Sequence, residues 1–320
     1  MAESSVCPRN SCAGGYGNCL DVKITNYCNG SCAFCIERGG YAPKKQKSAV
    51  ELALTTVSKA DFPNVLILGG EPLMYQHLIE YLKLIRPYKE KIYLTTNGTL
   101  LRSPYTNLED LGKYLNGINI SIHHYQEEKN NMVLRGGTLE APVGRPDISL
   151  EFAVLKDSIK VLKDNGCSVR INCNLVKGFV ESEHDIVEMV RRAEDLGANN
   201  LRFAELQNSP DEFVDAYTIF QGLPEDPYHQ GCEVDLKALA NKMPGSLHNL
   251  MHASVGICLK LTCGRVNPLR KPVHDTPHRN GETHVLYPNG YVSHGWVNQS
   301  SSTRNNTGGG CHGKHSDACH

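Results

Sequence analysis

The sequence lacks the features that mark membrane-bound, secreted and nucleic-acid-binding proteins. Its 320 residues carry a net charge of -1, and no apolar run is long enough to cross a bilayer. The opening Met-Ala-Glu-Ser-Ser-Val-Cys has neither the basic nor the apolar region of a secretory signal. A hydrophobic fraction of 40% and a mean hydropathy of -0.36 are typical of a soluble globular protein. We therefore expect a cytoplasmic protein with no membrane or nucleic-acid partner.

The sequence also shows no motif typical of hydrolytic catalysis. No convincing pair of carboxylates and no Ser/His/Asp set is evident in the sequence. Cysteine, by contrast, is frequent, with 13 residues and no signal peptide. That combination indicates a reducing compartment, in which cysteines bind metal or remain thiols instead of forming disulfides.

Three cysteines stand close together where an iron–sulfur cubane usually takes four. They form the motif Cys28-Asn-Gly-Ser-Cys32-Ala-Phe-Cys35. A trio of thiolates would leave one iron of a cubane open to another ligand. The same spacing could also belong to a zinc site, so the motif alone leaves both readings open.

A second motif follows the trio along the chain. The apolar run Val65–Leu68 leads into Gly69-Gly70-Glu71-Pro72, which indicates a buried strand entering a tight turn. Glycines let the backbone approach a ligand closely, and a glutamate offers an acceptor to an ammonium group. An ordinary strand-to-helix turn is the alternative for this motif taken by itself.

Strands and helices alternate after residue 20, which favours a parallel sheet, open or barrel-like. The predicted strands are Leu20–Thr25, Val65–Leu68, Lys91–Thr96, Gly117–His123, Ser168–Val176 and Asn200–Leu206. The predicted helices are Ser48–Lys59, Tyr75–Ile85, Leu108–Leu115, Leu150–Asn165 and Glu183–Leu196. Residues 126–148 are predicted to form a long insertion of the kind that serves as a lid or binding loop.

Two predicted strands have one apolar and one polar face. Ile118, Ile120 and Ile122 alternate with polar residues, and the strand from Ser168 does the same. A polar inner face is expected if a partial barrel holds a polar ligand, although a half-exposed antiparallel sheet would show the same alternation. The intervening helices favour the barrel. Both motifs fall at the carboxyl ends of predicted strands, and polar residues follow the other strands. Parallel α/β folds have their active and binding sites at this end of the sheet.

The sequence resembles the radical S-adenosylmethionine (radical SAM) superfamily in two motifs. They are the cysteine trio, with Phe34 before its last member, and the Gly-Gly-Glu-Pro motif. In that family the open iron is bound by the methionyl part of SAM, whose amino group is held by a similar glycine-rich turn. The resemblance implies an α/β fold, a partial (β/α)6 TIM-like barrel with a smaller C-terminal extension. It also implies that Cys28, Cys32 and Cys35 bind a [4Fe-4S] cluster beside S-adenosylmethionine.

Within the superfamily, two later patterns resemble the molybdenum-cofactor protein A and twitch/SPASM branch. They are the set Asn172, Lys177, Gly178 and Glu183, and the set Arg202, Phe203 and Glu205. The resemblance implies cofactor contacts from Phe34, Gly69, Gly70, Glu71, Pro72, Asn97, Ser121, Asn172 and Gln207. The residues expected at the substrate are Thr96, His123, Lys177 and Arg202.

The C-terminal part departs from that branch. Cys258 and Cys263 are spaced differently from a second-cluster motif, and His294 follows a predicted hairpin where relatives often have a cysteine. We therefore expect a product other than the molybdopterin precursor. Two further sets of cysteines could each, or together, hold a second cluster, with separate thiols as the alternative: Cys7, Cys12 and Cys19, and Cys232, Cys258 and Cys263. Basic residues could likewise form an anion pocket or be ordinary surface charge: Arg135, Arg145, Arg265, Arg270, Lys271 and Arg279.

These patterns predict an enzyme that cleaves SAM reductively to a 5′-deoxyadenosyl radical and removes hydrogen from a small biosynthetic metabolite derived from a sugar, nucleotide or amino acid. A flavodoxin- or ferredoxin-type reductant is the expected partner. The alternatives are a peptide-modifying maturase, for which the 27 residues before Cys28 leave little room for a leader-binding domain, and a non-catalytic electron-transfer protein. The predicted division is an N-terminal extension (1–19), the barrel (20–207), a covering region (208–297) and a tail (298–320).

Overall fold

The computed structural model describes residues 19–32, 34–35, 42–136, 148–176, 178–180, 182–205, 252–253, 256–262, 265–268 and 284–295. For residues 183, 204–205 and 252–268 only the backbone is considered. None of the helices within these ranges combines the length and apolarity needed to span a membrane.

A parallel sheet wrapped by helices forms the body of the protein. Its first six strands pair in chain order, all parallel. They are β1 (Cys19–Lys23), β2 (Asn64–Leu68), β3 (Lys91–Thr96), β4 (Gly117–Ser121), β5 (Ser168–Leu175) and β6 (Asn200–Glu205). The helices are α1 (Ala49–Ser58), α2 (Leu78–Ile85), α3 (Leu108–Tyr114), α4 (Glu127–Arg135), α5 (Phe152–Asp164) and α6 (Glu183–Asp195). The predicted partial-barrel fold is confirmed.

Short strands from the C-terminal part extend both edges of this sheet. They are β7 (His252–Ala253), β8 (Gly256–Thr262), β9 (Arg265–Pro268), β10 (His284–Leu286) and β11 (Val292–His294). β8 pairs antiparallel with β6, and β10 pairs parallel with β1. β10 and β11 form the predicted hairpin, whose turn places Gly290 at a φ of +83°. The division of the chain into domains stays a prediction.

The two faces of the sheet differ in polarity as predicted. Ile120 and Ile171 belong to the apolar core that the strands share with the helices. The opposite face, called the inner face below, carries polar side chains that neighbour one another through the strand register: Asn119, Ser121, Arg170, Asn172 and Arg202. At the start of the strands, Cys19, Leu66 and Tyr93 form a small apolar cluster on this same face.

Residues 126–148 differ from the loop that we predicted, because they begin with the helix α4. Glu127 and Glu128 lie in its first turn, where carboxylates are favourable, and Gly136 ends it in the left-handed conformation. Its buried face includes Asn130 and Asn131, which are hydrogen-bonded to neighbouring segments. The polar side chains on this buried face obscured the helical pattern in the sequence.

Candidate cluster and cofactor site

The three cysteines lie in the loop that leaves β1 at its carboxyl end. Cys28, Cys32 and Cys35 are half-buried thiols. The Gly30 amide donates to the Cys28 sulfur at 3.3 Å, and the Cys35 amide donates to the Cys32 carbonyl at 3.2 Å. A backbone N–H directed at a sulfur stabilises the thiolate form, which is the form that binds iron.

Helix α4 supports this loop from the side. The Ser31 amide donates to the Leu134 carbonyl at 2.8 Å, and the same carbonyl lies 4.0 Å from the Cys32 sulfur. The loop is therefore held by the last turn of α4 as well as by β1.

The donor set suits a cluster better than a single metal ion. Nowhere in the described ranges do three His, Cys, Asp or Glu side chains gather closely enough for one ion. In a cubane each cysteine binds a different iron, so three cluster ligands are spaced more widely than the ligands of one zinc. Half-buried thiols on one loop fit that requirement.

The turn Gly69–Pro72, called the glycine turn below, packs against residues 25–27, where the cysteine loop begins. A Cβ on Gly70 would lie 2.2 Å from the Tyr27 carbonyl oxygen, and one on Gly69 would lie 2.6 Å from the Thr25 oxygen. Gly69 also has a φ of +147°, which disfavours other residues. The amides of Gly70 and Glu71 donate to the carbonyls of Thr25 and Tyr27 at 3.0 and 2.7 Å. The close approach seen here is therefore one of backbone to backbone.

Glu71 is buried and joins the ends of β2 and β3. Its carboxylate accepts hydrogen bonds from the Thr96 hydroxyl at 2.6 Å, the Asn97 amide at 2.7 Å and the Leu73 amide at 3.0 Å. Burial raises the pKa of Glu71, and these three bonds oppose the rise. A carboxylate has about four acceptor positions, so capacity remains for a ligand's ammonium group. The predicted contact with SAM stays a prediction.

Asn97 connects the end of β3 to the cysteine loop. Its side-chain amide donates to the Asn29 oxygen at 2.9 Å, and the Asn29 amide donates to the Thr99 hydroxyl at 2.9 Å. Asn97 itself accepts hydrogen bonds from Thr99. The cysteine loop, the glycine turn and the end of β3 are thus one hydrogen-bonded unit.

His123 follows β4 and faces the cysteine loop. Its Nδ1 accepts a hydrogen bond from the Asn174 amide at 3.1 Å, and its own amide donates to Asn130 at 2.8 Å. The ring meets Phe34 edge-on, with centroids 5.0 Å apart. Burial lowers the pKa of His123 to about 4, so the ring is neutral at pH 7. The bond at Nδ1 assigns the ring proton to Nε2.

The inner face contributes a polar row from β4 to β6. Ser121 neighbours Asn172, and Asn172 neighbours Arg202, in the parallel register. The Arg170 Nε donates to the Asn172 Oδ1 at 2.9 Å, so Asn172 is oriented from below by a buried guanidinium. We did not single out Arg170 in the sequence, where it looks like any other polar residue of an alternating strand.

Several predicted residues are placed away from this unit or are not described. Cys19 is buried near the start of β1, and burial raises the pKa of its thiol well above the usual value. Only the backbone of Cys258 is considered, and it lies opposite Arg202 in the register of β6 and β8. Outside the described residues lie Lys177, Gln207, Cys7, Cys12, Cys232 and Cys263. A second cluster stays a prediction.

Comparison with known proteins agrees with this geometry. The sequence profile described as the radical SAM superfamily matches residues 22–193, more than half of the 320-residue chain. The GTP 3′,8-cyclase of Aquifex aeolicus is 29% identical over 194 residues, covering 58% of this chain and 55% of that protein. The enzyme of the same name from Hydrogenovibrio crunogenus is 31% identical over 180 residues, covering 51% and 54%. The chain thus spans about half the length of the curated relatives it matches.

Among solved structures, Streptococcus suis SuiB bound to its precursor peptide SuiA is similar, with 24% identity and a TM-score of 0.47. The similarity covers 61% of this chain and 40% of that one. The profile match is decisive for the family. The chain belongs to the radical SAM superfamily and is an enzyme that uses a [4Fe-4S] cluster and S-adenosylmethionine.

Proposed function

We propose that this enzyme cleaves S-adenosylmethionine reductively and abstracts hydrogen from a small biosynthetic metabolite derived from a sugar, nucleotide or amino acid. The observation that carries the proposal is the hydrogen-bonded unit of the cysteine loop, the glycine turn and the end of β3, next to a polar inner face. When bound there, the cluster would pass one electron to the sulfonium of SAM, which would break a carbon–sulfur bond and give methionine and a 5′-deoxyadenosyl radical.

The residues of the site have separate tasks under this proposal. Cys28, Cys32 and Cys35 hold the cluster. The polar groups of the glycine turn, residues 69–72, hold the methionyl part of SAM. Glu71 fixes that turn against β3, which keeps it in register with the cysteine loop. The protein need not supply a strong base, because hydrogen-atom transfer depends on holding the reacting atoms in contact and away from water.

The inner face favours a small polar substrate. Ser121, Asn172 and Arg202 line it from three adjacent strands, and the neutral His123 follows Ser121 by two residues at the end of β4. The name of the curated relatives specifies GTP, a nucleotide, as what those enzymes act on. A nucleotide falls within the substrate class proposed for this chain. We propose that a flavodoxin- or ferredoxin-type protein supplies the electron.

The test is anaerobic reconstitution of the full chain with iron and sulfide, followed by SAM and dithionite. We expect about four irons per chain for one cubane, SAM binding, and 5′-deoxyadenosine among the products. Cys32→Ser should lose both the cluster and deoxyadenosine formation. Cys167→Ala is the control, since Cys167 is buried in the apolar core, where alanine removes the thiol without burying a new polar group.

Two results would contradict the proposal. Deoxyadenosine formation that survives Cys32→Ser would show that the cluster is not on this loop. A cluster that assembles in the native chain without binding SAM would identify an electron carrier instead.

A further inference from the structure

Arg170 is a buried cation on the inner face. Its side chain is 4% exposed, although it lies on the polar side of β5. In the register its neighbours are Asn119 on β4 and Asn200 on β6, both neutral and both buried. Among the ion pairs of the described part of the chain, none includes Arg170.

A guanidinium in this position requires compensation. Arginine is always charged, and burying a charge without a compensating partner strongly destabilises the folded protein. One of its five N–H groups is used by the Asn172 Oδ1. The amides that flank it carry no net charge, so they do not neutralise the guanidinium.

Among the described side chains, two carboxyl groups are buried, Glu71 and Asp21, and neither pairs with Arg170. Glu71 accepts hydrogen bonds from Thr96, Asn97 and Leu73. Asp21 lies on β1, which is separated from β5 by three strands of the sheet. No cation contributes to the pKa of Asp21, which burial alone raises to about 7. Asp21 is therefore not an ion-pair partner of Arg170.

We infer that Arg170 is an anion-binding residue that takes the phosphate or carboxylate group of an acidic substrate at the inner face. This rests on the proposed function and specifies its substrate class. The planar fork of a guanidinium matches both oxyanions through paired hydrogen bonds. Arg170 orients Asn172, and Asn172 neighbours Arg202 in the register. Both neighbours lie closer than Arg170 to the carboxyl end of the sheet. They would contact the same substrate on the side toward the cysteine loop.

The experiment is calorimetric titration of the anaerobically reconstituted, SAM-loaded protein with inorganic pyrophosphate and, separately, with succinate. We expect the native enzyme to bind one of the two. Arg170→Met keeps an unbranched side chain but removes the guanidinium, and should weaken that binding at least about tenfold, because the charged, paired hydrogen bonds to the anion are lost. Arg191→Met is the control, since Arg191 is exposed on α6 and pairs with Glu188.

Each outcome has one meaning. Pyrophosphate binding that depends on Arg170 assigns a phosphate-bearing substrate, and succinate binding that depends on it assigns a carboxylate-bearing one. Failure of the native protein to bind either anion, or equal binding by Arg170→Met, overturns the inference. If Arg170→Met does not fold, Arg170→Lys replaces it. That variant keeps the charge without the fork and should bind the anion several-fold more weakly, whereas unchanged binding would again overturn the inference.

The proposed function is tested separately in the same preparation by deoxyadenosine formation without any anion. Deoxyadenosine without anion binding would leave the proposed function intact and refute only the role of Arg170. Anion binding without deoxyadenosine or SAM binding would refute the proposed function itself.

Discussion

Asp21 should make the stability of the protein depend on pH in a direction opposite to that of most aspartates. It lies on β1 between Leu66 of β2 and Val285 of β10, so its carboxyl group has apolar neighbours on both strands. Burial raises its pKa from the ordinary 3.8 to about 7. The folded state therefore holds the proton more tightly than the unfolded state does. The stability that this proton confers is complete below pH 3.8 and is lost as the pH rises through 7.

The magnitude follows from the size of the pKa change. One pKa unit corresponds to about 1.4 kcal/mol, so full ionisation of Asp21 costs about 4 kcal/mol of folding free energy. Asp21→Asn removes that cost while preserving shape. The free energy of unfolding of the variant, relative to that of the native protein, should therefore rise by about 2–3 kcal/mol between pH 5 and pH 8. His123 acts in the opposite direction over part of this range, but it is present in both proteins and cancels in the difference.

Urea unfolding of the cluster-free chain at several pH values, followed by circular dichroism, measures this difference. Asp164→Asn is the control, because Asp164 is on the surface of α5 and pairs with Lys160. Its free energy difference from the native protein should not rise with pH. If the difference for Asp21→Asn is also constant from pH 5 to 8, Asp21 is ionised in the folded protein. The reasoning from burial would then be refuted, and a cation must lie beside it.

Two further predictions concern the site. Gly70→Ala places a Cβ against the Tyr27 carbonyl, so it should cost about 1–3 kcal/mol of stability by overpacking and weaken SAM binding more than tenfold by calorimetry. Gly166→Ala, where nothing lies within 4 Å of the added carbon but a φ of +89° strains any other residue, should cost stability and leave SAM binding unchanged. An equal loss of SAM binding in both variants would argue against the packing explanation. The His123 ring should stay neutral down to about pH 4, so its proton resonance, assigned through His123→Gln, should not titrate between pH 5.5 and 8. Stability conferred by that neutral ring is complete above pH 6.5 and is lost as the pH falls through 4, and a resonance titrating near 6.5 would contradict its burial.

The parallel strands and the placement of both motifs were predictable because local patterns encode them. Ile118 and Ile120 alternate with polar residues, and parallel strands place their carboxyl ends together wherever the chain forms them. The two serine capping boxes that begin α1 and α6 are equally local signals.

What the sequence did not reveal depends on contacts between distant segments. The bond between Asn29 and Asn97 joins residues 68 positions apart, and neither residue type indicates the other. Helix α4 was missed because its buried face carries Asn130 and Asn131, which are hydrogen-bonded to neighbouring segments. An apolar pattern at these positions would have indicated a helix. Arg170 was missed because burial of a charged side chain cannot be read from alternation.

The backbone contact between Gly70 and Tyr27 has a consequence for protein engineering. The cysteine loop cannot be transplanted alone into another barrel, because its root needs glycines on the adjacent strand and Asn29 needs the amide of Asn97. Segments 24–35, 69–73 and 96–99 would have to be exchanged as a cassette, together with the last turn of α4 that binds Ser31. Chimeras that divide the cassette should fail to assemble a cluster even when every cysteine is retained.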